Sequence, residues 1–513
     1  MKNTVKEGAV TEDTVKEGTV TEDTVKKIFI AGEWKLGGGA TIKSHYPADH
    51  SVNAEISTAS LDDINEAIEA ADKAWRDPSW RDKLPSEKSA VLFKAANIME
   101  QKKQFLAELQ TRDNGKPLAE TFALVSSAIA TTRYIASSLE TLDNELTNQR
   151  IKALMTFTTY EPLGVVAAIT PWNSPIASEI QKIVPALAGG NAVILKPAEA
   201  TSLIALELAK VFEKAGLPKG LFSVLTGKGS VVGEEIVKHP LVQKISFTGS
   251  TSTGRHLAHV AADKLISTSL ELGGKSPTIV FEDANFDIAV NGVIYGIFSS
   301  SGQACIAGSR LFIHESIYDD FLDALIKKTE NIVVGDPEAE GTQMGPLISE
   351  DHLNSVDRYV QMAKGEGGTI VAGGHRLTGE AYDKGSYYAP TIITGLKNDA
   401  QVCQEEIFGP VLVVIPYSDE ETLLGHANHS IYGLAAGIWT EDYRKALHIA
   451  KALEAGTIWI NTYKKFSIAT PFAGYKESGV GKEKGRLGIL DYMLTKSIFL
   501  NLDETPNPWS DPK

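Results

Sequence analysis

A chain of 513 residues is too long for one typical domain, so two or three substructures with large buried cores are expected. Hydrophobic residues make up 43% of the chain, and no apolar run approaches the roughly 20 residues that span a bilayer, which favours a soluble protein with no membrane partner. The formal net charge of −15 would repel a phosphate backbone, so nucleic-acid binding is not expected.

The cysteine content and the N-terminal sequence indicate the cellular compartment in which the protein is located. Cys305 and Cys403 are too few for a disulfide framework or a four-ligand zinc site, which favours a reducing environment and no metal centre. The N-terminus has no apolar signal core, and it is acidic and lacks the arginines of a transit peptide. We therefore expect a cytoplasmic protein.

The first 27 residues repeat with a period of ten, in the pattern Thr-Val-Lys-Glu-Gly followed by Val-Thr-Glu-Asp. Such a low-complexity segment has little apolar surface to bury, so residues 1–27 are predicted to be a disordered tail. A dispensable extension is the favoured interpretation, and a tethering role is the alternative.

The first clear helix is predicted after Ser60. This residue is a suitable N-cap, and Asp62 and Asp63 would lie in the first turn, where acidic side chains are favourable. Apolar residues then follow at spacings of four, three and four, which places them on one helix face: Ile64, Ile68, Ala71 and Trp75.

Between residues 165 and 262, short apolar runs alternate with helical patterns. The runs are 165–169, 192–195, 222–225 and 245–247. This alternation predicts a parallel sheet with helices on its faces, and ligands of such sheets bind at the carboxyl ends of the strands.

Polar segments follow each of these runs, at 170–175, 196–199, 226–229 and 248–254. The last is a glycine-hydroxyl turn that opens a helix and suits a pyrophosphate, but it does not match G-x-G-x-x-G and could be an ordinary strand-to-helix turn. Lys196 and Glu199 could likewise form a simple surface ion pair. Their position in the series favours a nucleotide site.

Cys305 is surrounded by glycines and small residues in segment 302–310, which can expose its sulfur to a ligand. A structural role remains the alternative from this local pattern alone. Cys403 stands next to an apolar strand pattern and is predicted to be a packing residue.

Taken together, these segments closely resemble the NAD(P)-dependent aldehyde dehydrogenase superfamily, in order from about residue 29 to 502. The motifs that carry the resemblance are Pro-Trp-Asn at 171–173, Lys-Pro-Ala-Glu at 196–199, Phe-Thr-Gly-Ser at 247–250, Glu-Leu-Gly-Gly-Lys at 271–275, Gly-Gln-x-Cys at 302–305, Glu-Glu-Ile-Phe-Gly-Pro at 405–410 and Pro-Phe-x-Gly-Tyr-Lys at 471–476.

The resemblance implies an α/β fold in three parts. A Rossmann-type NAD-binding domain would comprise 28–139 and 161–273, and an α/β catalytic domain 274–474. A small β oligomerisation arm would comprise 140–160 and 486–503, and its alternating segment 153–160 reads as a strand able to pair across an interface. A homodimer or homotetramer is expected by the same resemblance.

The implied reaction oxidises an aldehyde to a carboxylic acid. A free carbonyl does not release hydride, so a nucleophile must first form a tetrahedral alkoxide, and Cys305 matches that nucleophile. Asn173 and the Cys305 backbone N–H would stabilise the oxyanion, and Glu271 would activate the water that hydrolyses the thioester. Lys182 matches a lysine behind the oxyanion site, and Lys275 would support the loop that carries Glu271.

NAD is the implied cofactor, because a carboxylate at Glu199 accepts hydrogen bonds from a ribose 2′-hydroxyl but repels a 2′-phosphate. The adjacent Lys196 leaves NADP as a weaker alternative. The predicted cofactor-binding set is Ile169, Thr170, Trp172, Lys196, Glu199, Gly229, Gly249, Ser250, Leu272, Glu406 and Phe408.

The predicted substrate pocket is wide and polar on one side and apolar on the other. Its residues are Ser174, Ser178, Gln181, Ser299, Phe466 and Phe472. Lys464 and Lys465 fall where the resemblance places the substrate entrance, so an aldehyde with an acidic group is one hypothesis, and solvated loop charge is the alternative. The lack of further aromatic residues counts against betaine aldehyde.

Two rival functions remain open at the level of sequence. One is a dehydrogenase that releases its thioester to coenzyme A, which the presence of Glu271 disfavours. The other is a catalytically silent binding or structural protein with the same fold, which the combination of Cys305, Asn173 and Glu271 disfavours.

Overall fold

The computed structural model describes residues 25–507 and Trp509. Most of the predicted tail, residues 1–24, therefore lies outside the described part. Lys26 already pairs with the folded chain: its backbone N–H donates to the Glu55 carbonyl at 2.8 Å, and its own carbonyl accepts from the N–H of Ser57 at 3.0 Å. Within the described part of the chain, backbone pairing thus includes Lys26, two residues before the predicted start at Ile28.

The strands, in chain order, are β1 (Ile28–Ile30), β2 (Glu33–Lys35), β3 (Thr41–His45), β4 (Val52–Ser57), β5 (Glu145–Leu146), β6 (Leu154–Pro162), β7 (Val165–Ile169), β8 (Ala192–Lys196), β9 (Phe222–Val224), β10 (Val242–Thr248), β11 (Ser267–Glu271), β12 (Pro277–Val280), β13 (Arg310–His314), β14 (Thr369–Ala372), β15 (Thr391–Thr394), β16 (Val411–Tyr417), β17 (Tyr432–Gly433), β18 (Ala435–Trp439), β19 (Thr457–Ile460), β20 (Tyr475–Lys476), β21 (Gly479–Val480) and β22 (Met493–Asn501).

The α-helices are α1 (Leu61–Arg76), α2 (Pro78–Arg81), α3 (Pro85–Gln101), α4 (Lys103–Asn114), α5 (Leu118–Leu139), α6 (Pro175–Ala188), α7 (Leu203–Ala215), α8 (Glu234–Lys238), α9 (Thr251–Lys264), α10 (Phe286–Phe298), α11 (Tyr318–Glu330), α12 (Glu350–Gly365), α13 (Gln401–Gln404), α14 (Glu420–Asn428), α15 (Tyr443–Ala452) and α16 (Gly485–Leu490).

The first sheet has the strand order β2-β1-β9-β8-β7-β10-β11-β21, and its central strands run parallel. The four apolar runs predicted as strands are β7, β8, β9 and β10, with ends shifted by up to three residues. Their side chains are buried on both faces, as continuous apolar runs in parallel sheets require. The carboxyl ends of β7, β8 and β10 consequently carry the polar segments to one edge.

Helix α1 begins after Ser60, as predicted. The Ser60 hydroxyl accepts a hydrogen bond from the Asp63 N–H, and the Asp63 carboxylate accepts one from the Ser60 N–H, which completes a capping box. Ile64, Ile68 and Ala71 are buried against the first sheet's core, so the predicted apolar face is confirmed.

The second sheet has the order β14-β15-β16-β13-β12-β18-β19 and is parallel except for β14. Apolar clusters cover both of its faces. The loop between α10 and β13 contains Cys305, and the strand β11 of the first sheet ends at Glu271, so the two sheets present these residues toward each other. The predicted α/β class is confirmed.

A separate sheet joins β22, β6 and β5. Strand β6 corresponds to the predicted segment 153–160, and β22 pairs antiparallel with its whole length, from Met493 opposite Pro162 to Asn501 opposite Leu154. Apolar side chains on both faces of this sheet are exposed, including Leu494 and Phe499.

The C-terminal segment returns to the first sheet before it enters β22. Gly479 pairs with Glu271, and Ile489 and Tyr492 are buried in the first core. Ile489 and Tyr492 therefore pack with the first core, although segment 486–503 is predicted as part of the arm. The remaining domain division stays a prediction. Among the described residues, no helix is both long and apolar enough to cross a membrane.

Candidate active site

A tight backbone turn presents Cys305. Ser300, Ser301 and Gly302 all adopt positive φ angles, of 60°, 54° and 70°. A Cβ atom at Gly302 would lie 2.0 Å from the Gly409 carbonyl oxygen, so only glycine fits there. The turn leaves Cys305 partly exposed, whereas Cys403 is buried in the core of the second sheet.

The surroundings of Cys305 keep its thiol protonated at rest. Burial of the sulfur, together with the carboxylates of Glu406 and Glu271, raises its pKa to about 12. The ammonium group of Lys484 and the backbone N–H of Cys305 itself act in the opposite direction. A base is therefore needed to form the thiolate, and the N–H that faces the sulfur is a ready donor for an oxyanion.

Asn173 lies beside the Cys305 turn. It precedes α6 and is 9% exposed, and its side-chain amide donates a hydrogen bond to the Gln303 carbonyl at 3.0 Å. An amide nitrogen carries two protons, so this bond fixes the amide and leaves one proton for another acceptor. The structure thus brings the two predicted oxyanion donors to the same turn.

Glu271 ends strand β11 and is 4% exposed. Within residues 25–507, one of its carboxylate oxygens has no hydrogen-bond partner. Burial first, and then the negative charge of Glu483, raise its pKa well above the usual range. A carboxylate whose pKa is raised in this way accepts a proton more readily than an ordinary glutamate, as a general base must.

Lys182 lies on α6, fully buried. Its ammonium group contacts Glu483 and lies 3.3 Å from the Ser246 hydroxyl. The charge of Lys182 favours the ionised form of Glu271. Sequence reasoning missed Glu483, which lies about three hundred residues from Lys182 in the chain.

A groove with a volume of about 1030 Å³ runs along the carboxyl edge of the first sheet. It is lined by most of the predicted cofactor residues: Ile169, Thr170, Trp172, Lys196, Glu199, Gly229, Gly249 and Ser250. The first turn of α9 opens into this groove after the N-cap Ser250, and its backbone N–H groups suit a phosphate.

Individual groups in the groove fit a dinucleotide. The Thr170 hydroxyl is buried without a partner among the described residues. A Cβ atom at Gly229 would meet open space, whereas one at Gly249 would lie 2.4 Å from the Phe247 ring. Gly249 is thus explained by the packing of Phe247 before any ligand is considered.

Lys196 and Glu199 do not form a direct ion pair. The Lys196 ammonium donates to the Pro197 carbonyl at 2.8 Å, and Glu199 accepts from the Gly229 N–H at 3.1 Å. Burial lowers the pKa of Lys196 to about 8, and Glu199 partly offsets this effect. The Lys196 ammonium and the Glu199 carboxylate both lie in the groove, where hydroxyl groups of a ligand could bind.

The remaining predicted cofactor residues lie between the groove and Cys305. Glu406 accepts from the Gly274 N–H at 3.0 Å, and burial raises its pKa to about 7. The Phe408 ring lies edge-on to Trp172 with centroids 5.2 Å apart, and Leu272 is buried. His352, which sequence reasoning missed, contacts the Phe408 carbonyl at 2.8 Å.

Comparison with known proteins agrees with this arrangement. The profile of the aldehyde dehydrogenase family matches residues 34–498. DhaS of Bacillus subtilis (strain 168), a protein named as an aldehyde dehydrogenase, is 40% identical over 483 residues, covering 93% of this chain and 96% of DhaS. The chain belongs to the aldehyde dehydrogenase family.

Solved structures of the family resemble this chain over almost its whole length. The NAD+ complex of an aldehyde dehydrogenase from Bacillus cereus has a TM-score of 0.91 and 38% identity, and covers 94% of this chain and 97% of its own. A betaine aldehyde dehydrogenase from Staphylococcus aureus in complex with NAD+ has a TM-score of 0.93 and 35% identity, with coverage of 95% and 97%. The predicted family and fold are confirmed.

The predicted substrate residues of this aldehyde dehydrogenase fall into two groups. Ser174, Ser178 and Gln181 are the half-exposed positions at the start of α6, which is otherwise almost entirely buried. On the other side, the rings of Phe466 and Phe472 meet edge-on with centroids 5.7 Å apart.

Ser299 and the two entrance lysines differ in their surroundings. The Ser299 hydroxyl accepts from the Lys464 ammonium at 2.7 Å, and Lys464 is half-buried. Lys465 is exposed to solvent. The sequence grouped the two lysines together, but only Lys464 turns toward the predicted pocket.

Proposed function

We propose that the protein oxidises an aldehyde to the corresponding carboxylic acid, with NAD as hydride acceptor and a thioester on Cys305 as the intermediate. The convergence of Cys305, Asn173 and Glu271 carries this proposal. Cys305 and Glu271 are close enough for the carboxylate to raise the thiol pKa, and the Asn173 amide is held against the Cys305 turn.

The first step is nucleophilic attack. Glu271 accepts the thiol proton, and the Cys305 sulfur bonds to the aldehyde carbon while the carbonyl π electrons move to oxygen. The Asn173 amide and the Cys305 N–H stabilise the resulting alkoxide, and one such donor contributes on the order of 3 kcal/mol.

The alkoxide then collapses to a carbonyl as the hydrogen leaves carbon with its electron pair. When bound, the nicotinamide ring accepts that hydride. Glu271 first releases the thiol proton to solvent. Water then attacks the thioester while Glu271 accepts its proton, and the C–S bond breaks to release the acid and the Cys305 thiolate. Burial raises the pKa of Glu271 most; Glu483 raises it further, and Lys182 lowers it.

NAD is the preferred cofactor under this proposal. Glu199 faces the groove near Gly229, where a ribose would donate its 2′-hydroxyl and where a 2′-phosphate would be repelled. The NAD+ complexes of the Bacillus cereus and Staphylococcus aureus relatives support this choice. Lys196 leaves weak use of NADP as the alternative.

We further propose that the protein is a homo-oligomer located in the cytoplasm. The sheet of β22, β6 and β5 exposes apolar side chains on both faces, and a second copy of the chain would cover them. Both cysteines are free thiols, in keeping with a reducing compartment.

The test is an assay of purified protein with aliphatic, aromatic and acidic aldehydes, run with NAD and NADP in parallel and with and without coenzyme A. We expect NAD reduction and release of the free acid. Strict dependence on coenzyme A would establish the acylating alternative. No reduction with any aldehyde, together with no labelling of Cys305 by iodoacetamide, would establish a catalytically silent protein and overturn the proposal.

A further inference from the structure

Two lysines near the nucleophile have no role in the steps above. Lys464 lies in the loop after β19, and Lys484 precedes α16. Burial lowers the pKa of both ammonium groups, and the Cys305 sulfur is close enough to each of them to offset this effect in part. Two positive charges therefore border the space in which an aldehyde must approach the sulfur.

Their contacts place them among the predicted substrate residues. The Lys464 ammonium donates to the Ser299 hydroxyl at 2.7 Å and lies 5.9 Å from the centre of the Tyr295 ring. The Lys484 ammonium lies 3.9 Å from the centre of the Phe466 ring and 5.1 Å from that of Phe472. Each of the two ammonium groups thus lies close to an aromatic ring.

Within residues 25–507, Lys464 forms no ion pair with a carboxylate. The nearby acid, Glu120, is already engaged, because it pairs with Lys116 at 3.8 Å and accepts from the Ser300 N–H at 2.8 Å and the Ser300 hydroxyl at 2.5 Å. The neutral oxygens of Ser299 cannot balance the charge of Lys464. One N–H of the Lys464 ammonium group therefore remains free to donate to another acceptor.

Burial without a counter-ion is unfavourable for a charged side chain. Burial is the largest cause that lowers the pKa of Lys464 to about 7; Glu120 and Cys305, which also face it, offset this in part, and Lys116 adds to it. Lys484 differs, because Glu483 and Glu271 already face it. Lys464 is therefore the cation whose charge a bound anion would balance.

We propose that Lys464 binds the anionic end of the substrate, so that the enzyme oxidises aldehydes that also carry a carboxylate. This inference rests on the proposed function. The carboxylate would accept from the free Lys464 proton while the aldehyde carbon reaches Cys305, and the short carbon chain between them would pass the rings of Phe466 and Phe472.

The test compares unbranched ω-oxo acids with uncharged alkanals of the same chain length, by NADH formation in the complete enzyme. The wild type should favour the matched oxo acid by at least about 10-fold in kcat/KM. Lys464→Gln should lower kcat/KM for the oxo acid about 10- to 100-fold, mainly through KM, as expected for a hydrogen bond between charged groups. The kcat/KM of this variant for alkanals should change less than about 3-fold, because alkanals make no charged hydrogen bond to Lys464.

Two further variants sharpen the result. Lys464→Arg keeps the charge and should retain most of the oxo-acid preference. Lys482→Gln removes an exposed lysine two residues from Lys484 and should leave both substrate series unchanged. Retained alkanal oxidation by Lys464→Gln shows that the variant is folded.

Each alternative result is decisive. If the wild type oxidises alkanals as well as oxo acids, or if Lys464→Gln lowers both series equally, Lys464 does not select an anionic substrate, although the proposed function stands. If no aldehyde of either series or of the aromatic series is oxidised, and iodoacetamide does not label Cys305, the proposed function itself fails.

Discussion

Cys305 is the residue on which the proposed chemistry depends most directly. Cys305→Ala should lower kcat/KM by at least about 10³-fold, because no other side chain can form the thioester. NADH formation measures the loss, and NAD binding by fluorescence titration should persist. Cys403→Ala is the matched control: Cys403 is buried in the second core, so activity should remain. Equal loss in both variants would contradict the assignment.

Glu271 has a separable part in the reaction. In Glu271→Gln, hydrolysis of the thioester should become the slow step, since the amide cannot accept the proton of water. At high pH, where the Cys305 thiol ionises without a base, rapid mixing should then show a burst of NADH close to one per active site, followed by slow turnover. A steady rate equal to that of the wild type would exclude Glu271 as the base.

The pH dependence of hydrolysis follows from the same residue. Glu271 works only when it is deprotonated, so turnover limited by hydrolysis should rise with pH through its raised pKa. The negative charge of Glu483 contributes to the raised pKa of Glu271. Lys182, Lys484 and Asp491 also face the carboxyl group. Glu483→Gln removes one negative charge and should move the profile toward lower pH. An unmoved profile would show that Glu483 serves only to pair with Lys182.

At the scale of elements, the turn before Cys305 is the most demanding piece of backbone. Gly302→Ala would place a Cβ atom 2.0 Å from the Gly409 carbonyl at a φ of 70°, so the turn must shift. We expect kcat/KM to fall by at least about 100-fold, because small misplacement of a nucleophile is costly.

The control for this turn is Gly425→Ala in helix α14, where an added Cβ meets no atom within 4 Å. It should keep full activity and gain slight stability from the better helix former. Thermal unfolding and NADH assays compare the two variants. Normal turnover in Gly302→Ala would show that the turn has room to adjust.

Elements were predictable where their pattern is local. Helix α1 could be recognised from Ser60 and the apolar spacing after it, and β7 to β10 from short apolar runs, because capping and burial depend on neighbours in sequence. Strand β21 was missed. Its two residues take their structure from pairing with the end of β11, which lies about two hundred residues earlier.

At the scale of the whole molecule, the sheet of β22, β6 and β5 bears on assembly. Among the described residues, β22 pairs only with β6, which leaves one of its edges open, and Phe499 is 67% exposed. Phe499→Glu should convert the proposed oligomer largely to monomer, because it puts a charge into apolar contact. Light scattering after gel filtration measures the mass.

Val333→Glu is the control for surface charge, since Val333 is also exposed but lies outside this sheet. It should leave the mass unchanged. A Phe499→Glu protein with the mass of the wild type would show that the sheet does not hold the subunits together.

The sequence by itself determined the family, the reaction class and the residues that end the strands of the first sheet. These features are short motifs, and parallel strands bring their carboxyl ends to one edge whatever the details of packing. Cys305, Asn173 and Glu271 could be named because their motifs resemble those of the aldehyde dehydrogenase family, as could the residues that line the groove.

Only the tertiary structure decided how charges meet across long separations. It paired Lys182 with Glu483, left Lys464 without an ion pair among the described residues, and placed Lys465 in solvent although the two lysines are adjacent. Side-chain pKa values and ion pairs depend on burial and on distances between remote segments, and neither is encoded in a local pattern.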